Sequence, residues 1–191
     1  MTTNEIYRSE IALPIDYERV REEENRKAIS IEKRRRVSTR TFSFLFESRD
    51  LVKNQIQEMV YLENMRTNEG ISDLIETYAD LLPTERTLSV SMFIEFESEL
   101  QMMRLMKELT GVEDQVYLVF DGTEVKATPE LGRSTDTLEA TLQYLKFHFD
   151  NDALEKFKSC NRCTIEVRRK NYEEIGKLPD NLFAQLKSEL R

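Results

Sequence analysis

A run of arginines, followed closely by carboxylates and amides, contains the residues of this chain best suited to chemistry. Arg34, Arg35 and Arg36 are consecutive, and an arginine guanidinium can hold a carboxylate or phosphate through two parallel hydrogen bonds. Gln55 and Glu58 are three residues apart, so they share one face if this segment is a helix. We therefore predict a candidate ligand pocket from this stretch: Arg35, Glu47, Arg49, Gln55 and Glu58.

Three interpretations of this cluster stay open from the sequence. The first is an internal network in which arginines and carboxylates join a helix to a sheet. The second is a polar pocket that recognises an anionic or amide-bearing ligand, in a binding protein or in a small enzyme. The third is a nucleic-acid contact through the basic run.

The remaining candidates are one histidine and two cysteines. With His148 alone, the chain cannot build a two-histidine metal site or a pair of Glu-x-x-His motifs. Cys160 and Cys163 have the spacing of a redox pair, but we expect them between a helix and a strand, which is not the thioredoxin arrangement. We expect no metal site and no cofactor, and the rival hypothesis is a metal- or redox-linked protein that uses the two cysteines, whose spacing also suits half of a zinc site.

Composition limits the class of protein. A chain of 191 residues with 5 glycines and 4 prolines is expected to fold as one domain without long linkers. A net charge of −8 argues against nucleic-acid binding. No apolar run suits a signal peptide or a membrane span, and 2 cysteines give no disulfide framework, so we expect a cytoplasmic protein.

Helices and strands must position the candidate residues. Residues 14–36 carry oppositely charged pairs at i,i+4 spacing and predict a charged N-terminal helical arm. Phe42–Phe46 is typical of a strand, and Ser48 is a suitable N-cap for a helix that should end near Met65. A second helix is expected from Ser72.

The second half of the chain alternates between strand and helix patterns. Residues 88–97 alternate strictly, Asp121 and Gly122 predict a hairpin, and residues 138–149 and 163–169 add further strands. A terminal helix is expected at 180–190. The chain is therefore predicted to be an α+β protein with a mostly antiparallel or mixed sheet of about five strands, on which helices pack. The predicted division is a single domain over 1–191, with an arm at 14–36 and an α+β core at 37–191.

Five segments carry a resemblance to a known family. They are "LPIDYERVR" at 13–21, "KRRRV" at 33–37, "FLFESRDLVKNQIQEM" at 44–59, "SMFIEF" at 91–96 and "YLKFHF" at 144–149. With these segments the chain resembles a bacterial family known as domain of unknown function number thirty-five-zero-one. The family carries no established activity. The Cys160 and Cys163 pair is not a feature of the family, and a histidine often stands where this chain has Gln143, so a catalytic role for histidine or thiol is weakened.

The resemblance also implies a cellular setting. Members of the family are often neighbours of rubrerythrin-type and iron–sulfur oxidoreductase proteins in bacterial genomes. We therefore expect a non-catalytic accessory or ligand-binding protein in a redox or oxidative-stress system. The expected partners are such a redox protein or a second copy of the chain, and neither nucleic acid nor a membrane. The alternative is a small enzyme that uses the Arg/Glu/Gln pocket in residues 34–58.

Overall fold

The computed structural model describes residues 4–130, 141–169 and 172–191. The chain divides into two compact units. The helical unit contains the chain up to Arg35 together with Glu47–Pro83, and the sheet unit contains Arg36–Phe46 together with Thr84–Arg191. The predicted arm, except for its last residue Arg36, and the five candidate residues therefore belong to the helical unit. The prediction of a single domain stays a prediction.

The described residues of the helical unit form four α-helices. They are α1 (Pro14–Tyr17), α2 (Arg21–Arg35), α3 (Arg49–Leu62) and α4 (Asn68–Ala79). Ser48 caps α3 as predicted, because its side chain accepts a hydrogen bond from the main-chain nitrogen of Leu51. The predicted helix over 14–36 is interrupted at 18–20 and ends at Arg35, and α3 ends three residues earlier than expected.

The sheet unit contains eight strands and three α-helices among the described residues. The strands are β1 (Arg36–Ser38), β2 (Phe42–Phe46), β3 (Thr87–Ile94), β4 (Val116–Phe120), β5 (Thr123–Pro129), β6 (Leu142–His148), β7 (Thr164–Arg169) and β8 (Tyr172–Lys177). The helices are α5 (Glu99–Glu108), α6 (Asn151–Ser159) and α7 (Asp180–Glu189). The part of the predicted strand at 138–140 lies outside the described residues.

All strand pairings are antiparallel, in the order β1-β2-β3-β6-β5-β4-β7-β8. The α+β class is confirmed, but the prediction of about five strands is wrong. The sequence reading missed β1, which has three residues and directly follows the charged helix, and β8, which is rich in charged residues. Both lie at the ends of the strand order, where apolar patterning is weakest.

The two end strands approach each other, so the sheet nearly closes on itself. Gly176 of β8 faces Val37 of β1 so closely that a Cβ built on the glycine would lie 2.8 Å from Val37 Cγ1. Real Cβ atoms do not come this near to another carbon, so any other residue at this position would force Val37 to shift.

The core of the sheet unit is apolar. Phe157 of α6 contacts both Phe120 and Phe183 edge to face, with ring centroids 5.1 Å apart in each pair, which attaches α6 and α7 to the sheet. Leu88 and Met92 of β3 lie in this core as predicted, but Ser89 and Ser91 are buried as well, so the strand does not alternate between buried and exposed residues. No helix in the described part of the chain is long and apolar enough to cross a membrane.

Candidate functional site

Arg35 and Glu47 are brought together in the helical unit. Arg35 is the last residue of α2, its side chain is buried, and its Nη2 donates a hydrogen bond of 2.9 Å to the main-chain oxygen of Glu47. Glu47, just before the cap of α3, is also buried. This hydrogen bond joins the end of α2 to the start of α3 through a main-chain oxygen and not through the Glu47 carboxylate.

Glu58 does not face the arginine run but lies against α1 and the start of α2. Its Oε1 accepts a hydrogen bond of 2.9 Å from the hydroxyl of Tyr17, and Arg21 donates to both carboxylate oxygens, with Nη2 2.8 Å from Oε2. The Arg21 guanidinium lowers the pKa of Glu58. Burial and the neighbouring Glu58 carboxylate raise the pKa of the Tyr17 hydroxyl.

Arg49 binds the segment that precedes α1. Its Nη2 lies 2.5 Å from Glu10 Oε2 and donates to the main-chain oxygen of Glu5 at 2.9 Å. The hydrogen bond from Arg49 lowers the pKa of the Glu10 carboxyl group. Arg49 therefore holds the N-terminal segment against the first turn of α3.

Gln55 is half-exposed and makes no side-chain hydrogen bond within the described part of the chain. The buried amide on this helix is Gln57, which sequence reasoning missed. Gln57 Oε1 accepts from the main-chain nitrogen of Ala12 at 2.8 Å, and Gln57 Nε2 donates to the main-chain oxygen of Ala12 at 3.0 Å. Both the oxygen and the nitrogen of the Gln57 side-chain amide are thus hydrogen-bonded to the main chain of Ala12.

The five predicted site residues therefore do not converge on one point. Arg35 and Glu47 form one contact, Arg49 a second and Glu58 a third, and Gln55 joins none of these. Each contact lies within the helical unit and fixes one segment to another.

A groove does open beside them, between α1, α2 and α3. It has a volume of about 420 Å³, and none of the five predicted residues lines it. The contribution of α3 comes from four neighbouring polar residues: Asp50, Lys53, Asn54 and Gln57. These four residues have the spacing i, i+3, i+4 and i+7 of one helix face. This spacing is visible in the sequence and could have been used to predict the groove.

The opposite wall of this groove combines apolar and charged side chains. Its apolar residues are Ala12, Val20, Ala28 and Ile31. Lys27, also on this wall, forms salt bridges of 2.8 Å to Glu23 and to Glu24. The surface is thus amphipathic, and Glu10, Glu24 and Lys27 on it form salt bridges within the helical unit. We name it the helical groove.

The sheet unit holds a buried carboxylate that the sequence did not reveal. Glu174 of β8 accepts hydrogen bonds from the main-chain nitrogen of Thr41 at 2.9 Å and from the hydroxyls of Thr39 and Tyr172. Burial opposes ionisation, but these hydrogen bonds outweigh it and lower the pKa of Glu174. The carboxylate links β8 to the turn between β1 and β2, so its first role is to hold the two end strands together.

A cavity of about 510 Å³ lies next to this carboxylate and is lined by Arg40, Thr41 and Tyr172 together with residues of α5. The Arg40 side chain is 72% exposed, and its Nε lies 3.5 Å from Glu174 Oε1. For metal ions, the described residues contain no group of three or more histidine, cysteine, aspartate or glutamate side chains placed to bind one.

The chain is an α+β protein with an antiparallel sheet in one unit and helices in the other. The helical groove lies in the helical unit, and the cavity beside Glu174 lies in the sheet unit. The family model described as "Protein of unknown function (DUF3501)" matches residues 5–190, so the chain belongs to this family and the resemblance is confirmed.

A solved structure agrees with this assignment. The chain is similar to a novel protein of unknown function from Burkholderia pseudomallei K96243, whose crystal structure has 1.90 Å resolution. The two chains are 26% identical, with a TM-score of 0.88, and the match covers 97% of this chain and 99% of the other. No curated protein matches the chain.

Proposed function

We propose that the protein is a non-catalytic accessory protein of the cytoplasm that binds a segment of a partner protein in the helical groove. One observation carries this proposal. The candidate catalytic groups around the groove are engaged with each other, through Arg21 with Glu58 and Arg49 with Glu10, while the groove beside them is open.

The protonation chemistry of this unit favours binding over catalysis. A general base at neutral pH works best with a pKa near 7. The pKa of Glu58 is instead lowered by Arg21, and the pKa of Tyr17 is raised by burial and by Glu58. Both groups therefore keep one protonation state across the physiological range, which suits a fixed scaffold.

The surface next to the groove favours a protein segment as the occupant. Leu13 is 37% exposed, Ile15 is 69% exposed, and Val20, which lines the groove, is 46% exposed. Exposed apolar residues mark interaction sites when they are contiguous, and Leu13 and Ile15 lie in the chain between Ala12 and Tyr17, which both line the groove. The charges of both signs around it suit a segment whose apolar side chains are flanked by charged ones.

The partner we propose is a redox protein of the rubrerythrin or iron–sulfur oxidoreductase type. The support for this class is the genomic neighbourhood implied by the family resemblance. The two free cysteines support a reducing compartment. A second copy of the chain is the competing occupant, and the experiment below separates it from the proposed partner.

The test is site-specific photo-crosslinking in the native host. A photo-reactive amino acid replaces Val20 in the groove or, as the matched control, Ile29, which is 50% exposed on α2 and does not line the groove. We expect position 20, but not position 29, to form an adduct with a redox protein of the proposed class. An adduct with another copy of the chain, equal adducts at both positions, or no adduct at position 20 would contradict the proposal.

A second candidate function is a small enzyme centred on the sheet unit. Tyr172 and Glu174 are in hydrogen-bond contact beside the cavity that exposed Arg40 also lines. We expect this site to bind a small molecule whose carboxylate group pairs with the Arg40 guanidinium. A thermal-shift screen of small carboxylates against wild type and Arg40→Ala tests it. Stabilisation that disappears in the variant supports the enzyme, and a screen without such a hit opposes it.

A further inference from the structure

Cys160 and Cys163 lie on one concave surface of the sheet unit. Cys160 follows the last residue of α6, and Cys163 precedes β7. Both thiols are free, and both line a cavity of about 460 Å³ with Asn161 and Arg162 between them in the chain. The two sulfur atoms donate to main-chain oxygens, Cys160 Sγ to Phe157 at 3.2 Å and Cys163 Sγ to Thr164 at 3.7 Å. Within the described residues, neither sulfur atom forms a hydrogen bond with a charged side chain.

The surroundings of the pair argue against a metal site and against a fast catalytic thiol. Asp121 lines the same cavity, but the described residues contain no group of three or more histidine, cysteine, aspartate or glutamate side chains placed to bind a metal ion, whereas a tetrahedral zinc site needs four ligands. Burial raises the pKa of both thiols, and the neighbouring Cys160 raises that of Cys163 further. The thiolate is the reactive form, so any oxidation of this pair is slow and stoichiometric.

We propose that Cys160 and Cys163 are a redox pair that closes to an internal disulfide by exchange with a low-molecular-weight disulfide. The cavity is the structural reason, since it places both thiols beside a space within the range of small-molecule sites. Arg162 lines the same space and can pair with a carboxylate of a peptide-like disulfide such as oxidised glutathione. This inference is independent of the function proposed above.

The exchange proceeds in two balanced steps. The Cys160 thiol loses its proton and attacks one sulfur of the small disulfide, which forms a mixed disulfide and releases one small thiolate. Cys163 then loses its proton and attacks the Cys160 sulfur, which closes the internal disulfide and releases the second small thiolate. Two protein thiols are oxidised, one small disulfide is reduced to two thiols, and the two protons end on the released thiolates.

The order of the steps follows from the surroundings of the two residues. Cys160 is 6% exposed and Cys163 is 1% exposed, so the first attack falls to Cys160. The ammonium group of Lys187 binds the main-chain oxygen of Cys160 and opposes the rise in the pKa of both thiols, so the order depends on exposure and not on Lys187. Cys163 is the resolving residue.

The test treats the full-length reduced protein with oxidised glutathione under native conditions, alkylates the remaining thiols and measures intact mass. For wild type we expect the loss of two hydrogens, no alkylation, and reversal by dithiothreitol. Cys163→Ser should accumulate a glutathione adduct at Cys160, whereas Cys160→Ser should keep a free thiol at Cys163. Circular dichroism checks the fold of each variant, and Cys163→Ala replaces Cys163→Ser if the serine variant unfolds.

Three results would overturn this proposal. The first is a wild-type protein whose two thiols remain fully alkylated. The second is a stable glutathione adduct on wild type in place of the internal bond. The third is an adduct on Cys163 in Cys160→Ser that forms as fast as the adduct on Cys160 in Cys163→Ser, because this would remove the assigned order.

Discussion

The hydroxyl of Tyr17 donates a 2.9 Å hydrogen bond to Oε1 of Glu58, which connects α1 to the middle of α3. Arg21, at the start of α2, donates to the same carboxylate, so one side chain of α3 holds the two helices that form the opposite wall of the helical groove. The groove is therefore a fixed feature of the helical unit, and its polar supports should matter for stability before they matter for binding.

Replacing Tyr17 with phenylalanine should destabilise the protein. The change removes the hydroxyl that donates to Glu58, and a hydrogen bond to a charged group contributes about 1.5–3 kcal/mol to the free energy of unfolding. Urea denaturation measures the loss. The control is Tyr61→Phe, because the Tyr61 hydroxyl makes no hydrogen bond with any described residue. Equal effects of the two changes would remove the structural role of the Tyr17 hydroxyl.

Replacing Glu58 with glutamine should weaken the pH dependence of stability in acid. Arg21 holds the pKa of folded Glu58 below its ordinary value of 4.5. The stabilisation is therefore complete above the unfolded pKa and is lost as the pH falls through the folded pKa. Wild type should lose unfolding free energy below about pH 5 more steeply than Glu58→Gln.

The control for the pH series is Glu63→Gln, at an exposed position just after α3. This variant should follow the wild-type acid profile. If the slopes of wild type and Glu58→Gln are parallel, the carboxylate of Glu58 is not coupled to folding.

Removing the Glu174 carboxylate should destabilise the sheet unit. In Glu174→Ala the buried main-chain nitrogen of Thr41 and the hydroxyls of Thr39 and Tyr172 lose their acceptor, which should cost about 2–3 kcal/mol of unfolding free energy. The neighbouring Glu173 is exposed, so Glu173→Ala should stay within about 0.5 kcal/mol of wild type. Thermal denaturation of the pair tests this, and equal melting temperatures would refute it.

A methyl group at Gly176 should strain the closure of the sheet. The added Cβ would lie 2.8 Å from Val37 Cγ1 and 3.2 Å from Thr39 Cγ2, and overpacking of this kind costs about 1–3 kcal/mol. Val37→Ala removes the nearest atom, so the double variant should lose less stability than the sum of the two single losses. Additive losses in denaturant unfolding would show that Gly176 and Val37 do not meet.

The sequence could predict those parts of the fold that depend on local signals. Ser48 could be assigned as an N-cap because its hydroxyl bonds within its own helix turn. Asp121 and Gly122 could be assigned to a hairpin because both adopt positive φ. β1 and β8 were missed because their place depends on the distant approach of Val37 and Gly176, which has no local signature.

The candidate site, like the fold, could be predicted from the sequence only in part. The sequence located the correct segment, since α3 supplies one wall of the helical groove. It did not identify the partners of the charges, because Glu58 pairs with Arg21 and not with the nearer arginine run. More than one arginine is available to each carboxylate, sequence distance does not rank them, and only the placement of α1 and α2 decides between them.

The affinity of the helical groove for its partner tests the central claim most directly. Val20 occupies the N-cap position of α2, because its main-chain oxygen accepts from the nitrogen of Glu24, and aspartate is favoured at N-caps. Val20→Asp should therefore keep the fold while placing a charge in the groove. Ile29→Asp, outside the groove, is the matched control.

The measurement is calorimetric titration with the purified rubrerythrin-type protein of the same organism, or with the redox protein recovered by crosslinking at position 20. We predict that Val20→Asp weakens binding at least about tenfold, which is about 1.4 kcal/mol, and that Ile29→Asp binds within about twofold of wild type. Wild-type affinity in Val20→Asp, or equal weakening in both variants, would contradict the assignment of the helical groove as the binding site.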